Sequence, residues 1–447
     1  MIPLQAPVSP PPAPAEWTVL VYGAGDNSSE ETLIGDLAAM QVGLAGTAGI
    51  ELVALVDRSP RWAKGESALG EDFADTRLFR LGRERFERLE GGDALPATLR
   101  GRWEANTGDP KLVRDFVRFG KALCPARHTA LVFYSHGDGR AFAFDESSFG
   151  DPLFPGELTA ELGPEESVDF IGFDVCSMGS VELAYELRPG PERFGAHAMV
   201  ASASVSAPWR YDLLFGALGR ALGSGDVDAL AFGGLALESI AAGRKQWAER
   251  GVDLGFEAWA CFDLTRAGEV KSATDALAVS IANERERAPL EALRGSDDRR
   301  GVLDYFPAGE DAWGSMPYFD AHDLARRIAA EPLFSETTRQ RARALAAAVD
   351  GLVTASFAVQ SPESFVRDSS GASIVLPDGA RESDGSTDWQ RLAWYSAVQP
   401  ASKRGFGRLA WCADGAEFGD GVVQNWFELL DSWFDPADAD GPNGWRW

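Results

Sequence analysis

Residues 168–187, VDFIGFDVCSMGSVELAYEL, most constrain what this chain folds into. Val168, Phe170, Ile171 and Phe173 are the alternating and β-branched apolar residues of a short buried strand. Val181, Leu183, Ala184 and Leu187 then recur at helical spacing. Between the two stands Asp174-Val175-Cys176-Ser177-Met178-Gly179. Such a strand-to-helix junction is expected to hold the Cys176 thiol near the positive end of a helix. That placement lowers a thiol pKa from about 8.5 toward neutrality and favours the thiolate. The competing reading of a lone cysteine is an inert, small buried hydrophobe.

A nucleophilic cysteine needs a base, and residues 129–139, TALVFYSHGDG, offer one. Leu131 to Tyr134 form a second buried strand, which ends in Ser135-His136-Gly137. In a parallel sheet the carboxyl ends of the strands share one edge, so His136 and Cys176 meet there although far apart in sequence. The pair, each at a strand end and each near glycine, points to catalysis more strongly than either residue does alone.

These two motifs resemble those of the clostripain family of cysteine peptidases, in the clan that also holds caspases, legumain, gingipains and separase. The resemblance extends along the chain, over roughly residues 16–434. WTVLVYGAGDNSSEETLIGDLAAM is similar to the family's opening strand, Asp-Asn turn and acidic helix. Val56-Asp57-Arg58 and Asp75-Thr76-Arg77 match its second strand and the segment after it. EANTGDPKLVRDFVRFG precedes the histidine strand as in the family. Phe262-Asp263-Leu264 and 371–377, GASIVLP, resemble its carboxyl-terminal half. The order of the His and Cys motifs is the specific part; the later matches are weaker.

The resemblance implies a caspase-like α/β/α sandwich with a mostly parallel sheet and a largely helical carboxyl-terminal region. It also implies cleavage after basic residues, Arg preferred and Lys accepted, by His136 and Cys176 through an acyl-enzyme. Gly137 and Cys176 would supply the oxyanion-hole N–H groups. Asp174, two residues before the nucleophile, matches the acidic residue that pairs with Arg or Lys at the cleaved position. Guanidinium–carboxylate pairing can be bidentate, which favours Arg; the competing role for Asp174 is a helix cap. Trp209, in the segment Ser206-Ala207-Pro208-Trp209-Arg210-Tyr211, is a candidate pocket wall or a packing residue. Asp212 is a candidate second pocket acid. Other outcomes within the family are a catalytically silent binding module and a transamidase, in which an amine replaces water. No cofactor is expected; the resemblance admits calcium, for which the sequence displays no ligand cluster.

With 447 residues the chain is too long for one ordinary core. The expected division is a Pro-rich tail at 1–15, a catalytic domain at 16–250 and a carboxyl-terminal region at 251–447 packed on it. The net charge of −26 argues against nucleic acid, whose phosphates need a basic face, and favours cationic peptides; it also serves solubility. Cys124, Cys261 and Cys412 are scattered and fit core packing, and no His or Cys spacing suggests zinc. No segment is apolar enough for a membrane span. The protein is expected to be a monomer, either cytoplasmic or secreted or anchored after loss of a signal.

One rival fold-level reading comes from residues 17–57, where a strand, Gly23-Ala24-Gly25, a helix, a second strand and Asp57 outline a dinucleotide site. The third glycine is missing, and Asp26, Glu30 and Glu31 put negative charge where a pyrophosphate would lie. The remaining elements expected are a helix after a cap at Asp26 or Ser28, an irregular insertion at 58–106, and a helix at 111–123. Further on come a strand at 198–203, helices at 226–249, 266–293 and 335–357, and a strand at 371–377. The interval 141–175 contains neither Lys nor Arg. A protease that cuts after basic residues would therefore cut itself elsewhere, and 58–64 and 294–300 are the segments expected to be exposed.

Overall fold

The computed structural model describes residues 15–65, 69–82, 84–251, 255–294, 301–306, 317–359, 369–376, 405–417 and 421–431. The tail at 1–14 and the segment 295–300 lie outside the described residues. From the amino end come β1 (Ala15–Gly25), α1 (Glu30–Leu44), β2 (Ile50–Arg58), β3 (Thr76–Leu81), β4 (Phe86–Leu89), α2 (Pro110–Leu123) and β5 (Ala126–Tyr134). The hairpin of β6 (Phe142–Asp145) and β7 (Asp151–Leu153) and the short α3 (Pro155–Glu161) lead to β8 (Phe170–Asp174), α4 (Val181–Glu186) and β9 (Ala198–Ser202). Then follow α5 (Tyr211–Leu222), α6 (Ala229–Glu249), β10 (Glu257–Asp263), α7 (Ala267–Glu284) and α8 (Arg287–Arg294). The last of these elements are β11 (Tyr318–Asp320), α9 (Ala321–Ala330), α10 (Glu336–Leu352), β12 (Val353–Val359) and β13 (Ser373–Val375).

Nine strands form one sheet in the order β12-β10-β9-β8-β5-β1-β2-β3-β4. The five central strands, β9 to β2, run parallel, and the pairs at both edges are antiparallel. Burial on both faces explains why the central strands are continuous apolar runs in sequence. Along β1 the alternation sorts side chains between two cores. Trp17, Val19 and Val21 join α1, α5 and α6, whereas Leu20, Tyr22 and Ala24 join α2, α4 and α7. The result is an α/β/α sandwich. Helix α2 shows how closely the layers approach: Asp109 caps it by accepting from the Lys111 N–H at 2.9 Å, and Val113, Phe116 and Val117 are buried. Gly120 is required on its inner face, because a Cβ there would lie 2.3 Å from a Leu20 methyl.

Several elements differ from the sequence expectation. The insertion at 58–106 holds β3 and β4, masked in sequence because Arg77 and Arg80 interrupt the apolar pattern while pairing with Glu71, Asp75 and Glu51. The helix expected at 266–293 breaks at Arg285, which takes a left-handed φ of 57°. The helix expected to reach 357 stops at Leu352, and the chain continues as β12, paired with β10. Helix α1 is preceded by Ser29 at the cap position with no side-chain cap bond, so neither Asp26 nor Ser28 caps it.

The carboxyl-terminal half reaches the cysteine segment directly. The Ser373 N–H donates to the Gly179 carbonyl at 2.8 Å, and the Val375 N–H donates to Glu182 Oε1 at 2.8 Å. The Ala410 N–H donates to Glu186 Oε2 at 2.7 Å. Two buried glutamates of α4 thus bind backbone from remote parts of the chain.

Candidate active site

β5 and β8 pair in parallel, with Tyr134 opposite Asp174. His136 and Cys176 each stand two residues beyond that pair, at the carboxyl edge of the sheet. The turns that carry them are in contact: a Cβ on Gly137 would lie 2.2 Å from a Val175 methyl carbon and 2.7 Å from the Cys176 carbonyl oxygen. Ser177, directly after the cysteine, has a φ of 66°. A non-glycine residue there is strained by about 1–3 kcal/mol and persists only when its surroundings fix it. Two backbone bonds do so, from the Ser177 N–H to the Ser204 carbonyl at 2.9 Å and from the Gly179 N–H to the Ser202 carbonyl at 2.7 Å.

The cysteine does not sit at a helix N-terminus. Helix α4 starts at Val181 behind a Ser180 cap, so the expected helix-dipole activation is absent. Burial pushes the Cys176 thiol up, opposed by hydrogen bonds from Ser206, with Asp174 and Glu257 adding to the upward push. The Ser206 N–H points to Sγ at 3.3 Å and its hydroxyl lies 3.7 Å away. The exposed His136 ring meets the Ser28 hydroxyl through Nε2 at 2.8 Å. Partial desolvation by the surrounding turns pushes the His136 pKa down by more than the charge of Glu146 pushes it up. Both displacements favour a neutral thiol and a neutral imidazole in the empty site.

Asp174 is buried, and both of its protein donors reach the same oxygen. The Tyr211 hydroxyl donates to Oδ2 at 2.9 Å and the Trp209 N–H at 3.3 Å. Burial pushes the Asp174 carboxyl up to about 7, against the lowering effect of those two bonds and of Arg244. Asp36 of α1, a residue the sequence reading missed, is also buried, and its Oδ2 has no hydrogen-bond partner. Burial and the charge of Asp174 push the Asp36 carboxyl well up. Its only sequence signal is an acid within the apolar pattern of Leu33, Ile34, Leu37 and Met40.

Trp209 is buried and stacks on Tyr211 with ring centroids 5.8 Å apart. Asp212 is half-buried in a bidentate pair with Arg210, at 2.8 and 2.6 Å, which holds its carboxyl below the usual range. The segment between Ser206 and Trp209 rests on a second buried pair missed in sequence. Arg244 and Glu257, each 1% exposed, join at 2.7 Å. Glu257 accepts from the Ala207 N–H at 3.3 Å and from the Trp259 indole at 2.8 Å, and Arg244 donates to the Pro208 carbonyl at 3.0 Å and to that of Ala207.

A cysteine peptidase on a caspase-like sandwich is the class that this fold and its relatives define. The Clostripain family model matches residues 21–433, and the chain belongs to that family. It is 33% identical over 472 aligned residues to clostripain of Hathewaya histolytica, with 96% of this chain and 89% of that protein covered. A secreted C11 cysteine protease from Bacteroides thetaiotaomicron, solved with an irreversible peptide inhibitor, shares the fold at a TM-score of 0.57 and 19% identity. That match covers 86% of this chain and 99% of the other. An inactive zymogen C11 protease from Parabacteroides distasonis superposes at 0.58 with 17% identity, covering 82% and 93%. Among the described residues no helix is long and apolar enough to cross a membrane.

Proposed function

We propose that this peptidase cleaves on the carboxyl side of basic residues, Arg before Lys, with His136 and Cys176 as its dyad. The observation that carries the reading is the β5–β8 register, which sets both residues at equivalent positions on one sheet edge, beside the buried Asp174. As the sulfur attacks the scissile carbonyl, the His136 imidazole takes the thiol proton. The carbonyl electrons move to oxygen, which accepts from the Gly137 and Cys176 N–H groups. The C–N bond then breaks, the amine leaves with the proton from His136, and a thioester remains. Water, deprotonated by His136, releases the acid and restores the thiol. The substrate guanidinium pairs with Asp174, whose Oδ1 is left over by its two protein donors.

The test is hydrolysis of an Arg-aminomethylcoumarin peptide by the wild type, Cys176→Ala and His136→Ala. Each variant is expected to keep the native circular dichroism and lose turnover. Full turnover by either one would remove the assignment. Hydrolysis to free acid, rather than transfer to an added amine, separates the peptidase from a transamidase.

A further inference from the structure

The order of strands in the sheet also orders the groups along its carboxyl edge. Ser206 and Trp209 follow β9, Cys176 follows β8, His136 follows β5, Ser28 follows β1, and residues 59–64 follow β2. The acyl half of a substrate lies on the β9 side of the thiol, where the segment of Ser206 and Trp209 bonds both Cys176 and Asp174. The leaving amine takes its proton from His136, so the other half departs on the β5 side and runs across β1 toward β2. This direction rests on His136 and Cys176 acting as proposed.

Along that path the groups are tied to one another. Ser28 is exposed and bonded to His136 Nε2 at 2.8 Å. The turn between β6 and β7 is fixed to the turn that carries Ser28. The Glu146 N–H donates to the Asp26 carbonyl at 2.9 Å, and the Ser147 N–H donates to Asp26 Oδ2 at 2.8 Å. Glu146 in turn holds the loop after β2. Its Oε2 accepts from the Trp62 indole N–H at 3.1 Å and lies 3.6 Å from Arg61 Nη1. The Arg61 guanidinium lies 5.0 Å from the centre of the Trp62 ring. His136 feels the charge of Glu146, which places the carboxylate and the indole it holds on the histidine side. Trp62 is 37% exposed, whereas Trp17, Trp209 and Trp259 are buried. Its contacts orient the ring without covering it.

We propose that Trp62 receives an apolar or aromatic side chain of the substrate, about three or four residues beyond the cleaved bond. Neighbouring strands stand about 4.8 Å apart, so the step from β8 to β2 is roughly 14 Å, and an extended peptide covers about 3.3 Å per residue. The occupant is apolar because the charges beside the ring already have partners, Arg61 in Glu146 and Lys64 in Glu31. An indole held at its nitrogen loses little freedom when a second ring packs on it, and Trp is a common anchor of peptide recognition.

The test uses the whole chain and internally quenched peptides in which one Arg is followed by a run of Ser and Gly, with Phe placed at each later position in turn. In the wild type, kcat/KM should be roughly tenfold higher with Phe than with Ser at the third or fourth position. This preference should vanish in Trp62→Ala and persist in part in Trp62→Phe, which keeps an aromatic ring. Each preference is a ratio of two peptides cut by the same enzyme, so a general loss of activity or stability does not imitate the effect. No positional preference in the wild type, or an undiminished one in Trp62→Ala, overturns the proposal. An Arg-aminomethylcoumarin peptide has no residue beyond the cleaved bond and reports on the dyad alone. A wild type that cuts it without showing the preference keeps the dyad and loses this subsite; one that cuts neither kind of peptide loses both.

Discussion

Asp174→Asn separates what a buried carboxylate does for the substrate from what it does to the fold. Asparagine is nearly the same size, and its carbonyl can still accept from the Tyr211 hydroxyl and the Trp209 N–H. Its amide nitrogen then faces the position of Oδ1, where it repels a guanidinium. Losing a desolvated charged contact of this kind is worth about 2–5 kcal/mol, or roughly thirty- to several-thousand-fold in kcat/KM. Measured with paired fluorogenic peptides, kcat/KM for Arg should fall by that factor, while a citrulline analogue changes little. The pH dependence has a defined sign. Burial holds the Asp174 carboxyl at about 7, so in the wild type the charged form grows, and Arg cleavage rises, as pH increases through that value. The variant should lack this limb.

Stability should move the other way. A raised carboxyl pKa leaves the fold undisturbed below about pH 4 and increasingly penalises it as pH rises through 7. For a carboxyl held near 7 rather than near 4 the penalty is on the order of 4 kcal/mol, and Asn removes it. The melting temperature of the variant should exceed that of the wild type at pH 8 and match it near pH 4. Unchanged Arg kinetics together with an unchanged melting temperature at pH 8 would refute the reasoning.

Three further outcomes follow from the packing around the site. Gly137→Ala would drive a methyl into Val175 and the Cys176 carbonyl, and kcat should drop about a hundredfold, the effect of one lost oxyanion donor, with KM little altered; a wild-type kcat would show that the two turns separate freely. Glu257→Gln strips Arg244 of its partner, which should destabilise the fold by about 3–5 kcal/mol and slow alkylation of Cys176 as the Ser206 segment shifts; neither change occurring would mean that the ion pair does not position that segment. Self-cleavage, if it takes place, should fall in 58–64 or 294–300 and be absent from Cys176→Ala. Arg58 is buried, but the side chains of Arg61 and Lys64 are 73% and 63% exposed. N-terminal sequencing that found a required cut inside 141–175 would contradict both this and the preference for basic residues.

The central strands were legible because burial on both faces leaves no choice but continuous apolar residues, as in 50–56 and 129–134. The same logic identified the segments that carry His136 and Cys176 and the sheet edge they share. What failed was local detail controlled by distant partners. The apolar rhythm of β3 is broken by arginines whose acids lie elsewhere in sequence, and β12 is a strand only because β10 is there to pair with it. Helix α4 starts at Val181, where the apolar pattern also starts, and what the sequence did not show is that the five-residue separation keeps Cys176 away from the helix end. Asp36, Arg244 and Glu257 look like ordinary solvated charges in sequence. Their burial is a property of the assembled sandwich.

Those buried charges give the proposed preference for basic residues a physical basis that a single acid would not. Asp36, Asp174 and Glu257 lie within electrostatic reach of one another, and Arg244 is the cation common to all three. Arg244 is fully engaged by Glu257 and by the Ala207 and Pro208 carbonyls, so its charge is largely spent on the wall that holds Ser206 against the thiol. The two remaining acids, from α1 and β8, are left to share a deficit of positive charge. In the empty site the deficit is met by protons, because burial above all, with the neighbouring acids adding to it, raises both carboxyl pKa values. An arginine side chain entering the pocket answers it better, because a fixed guanidinium supplies both the charge and paired donors that a proton does not. On the proposed reading, a preference for a cationic side chain is the electrostatic completion of the fold.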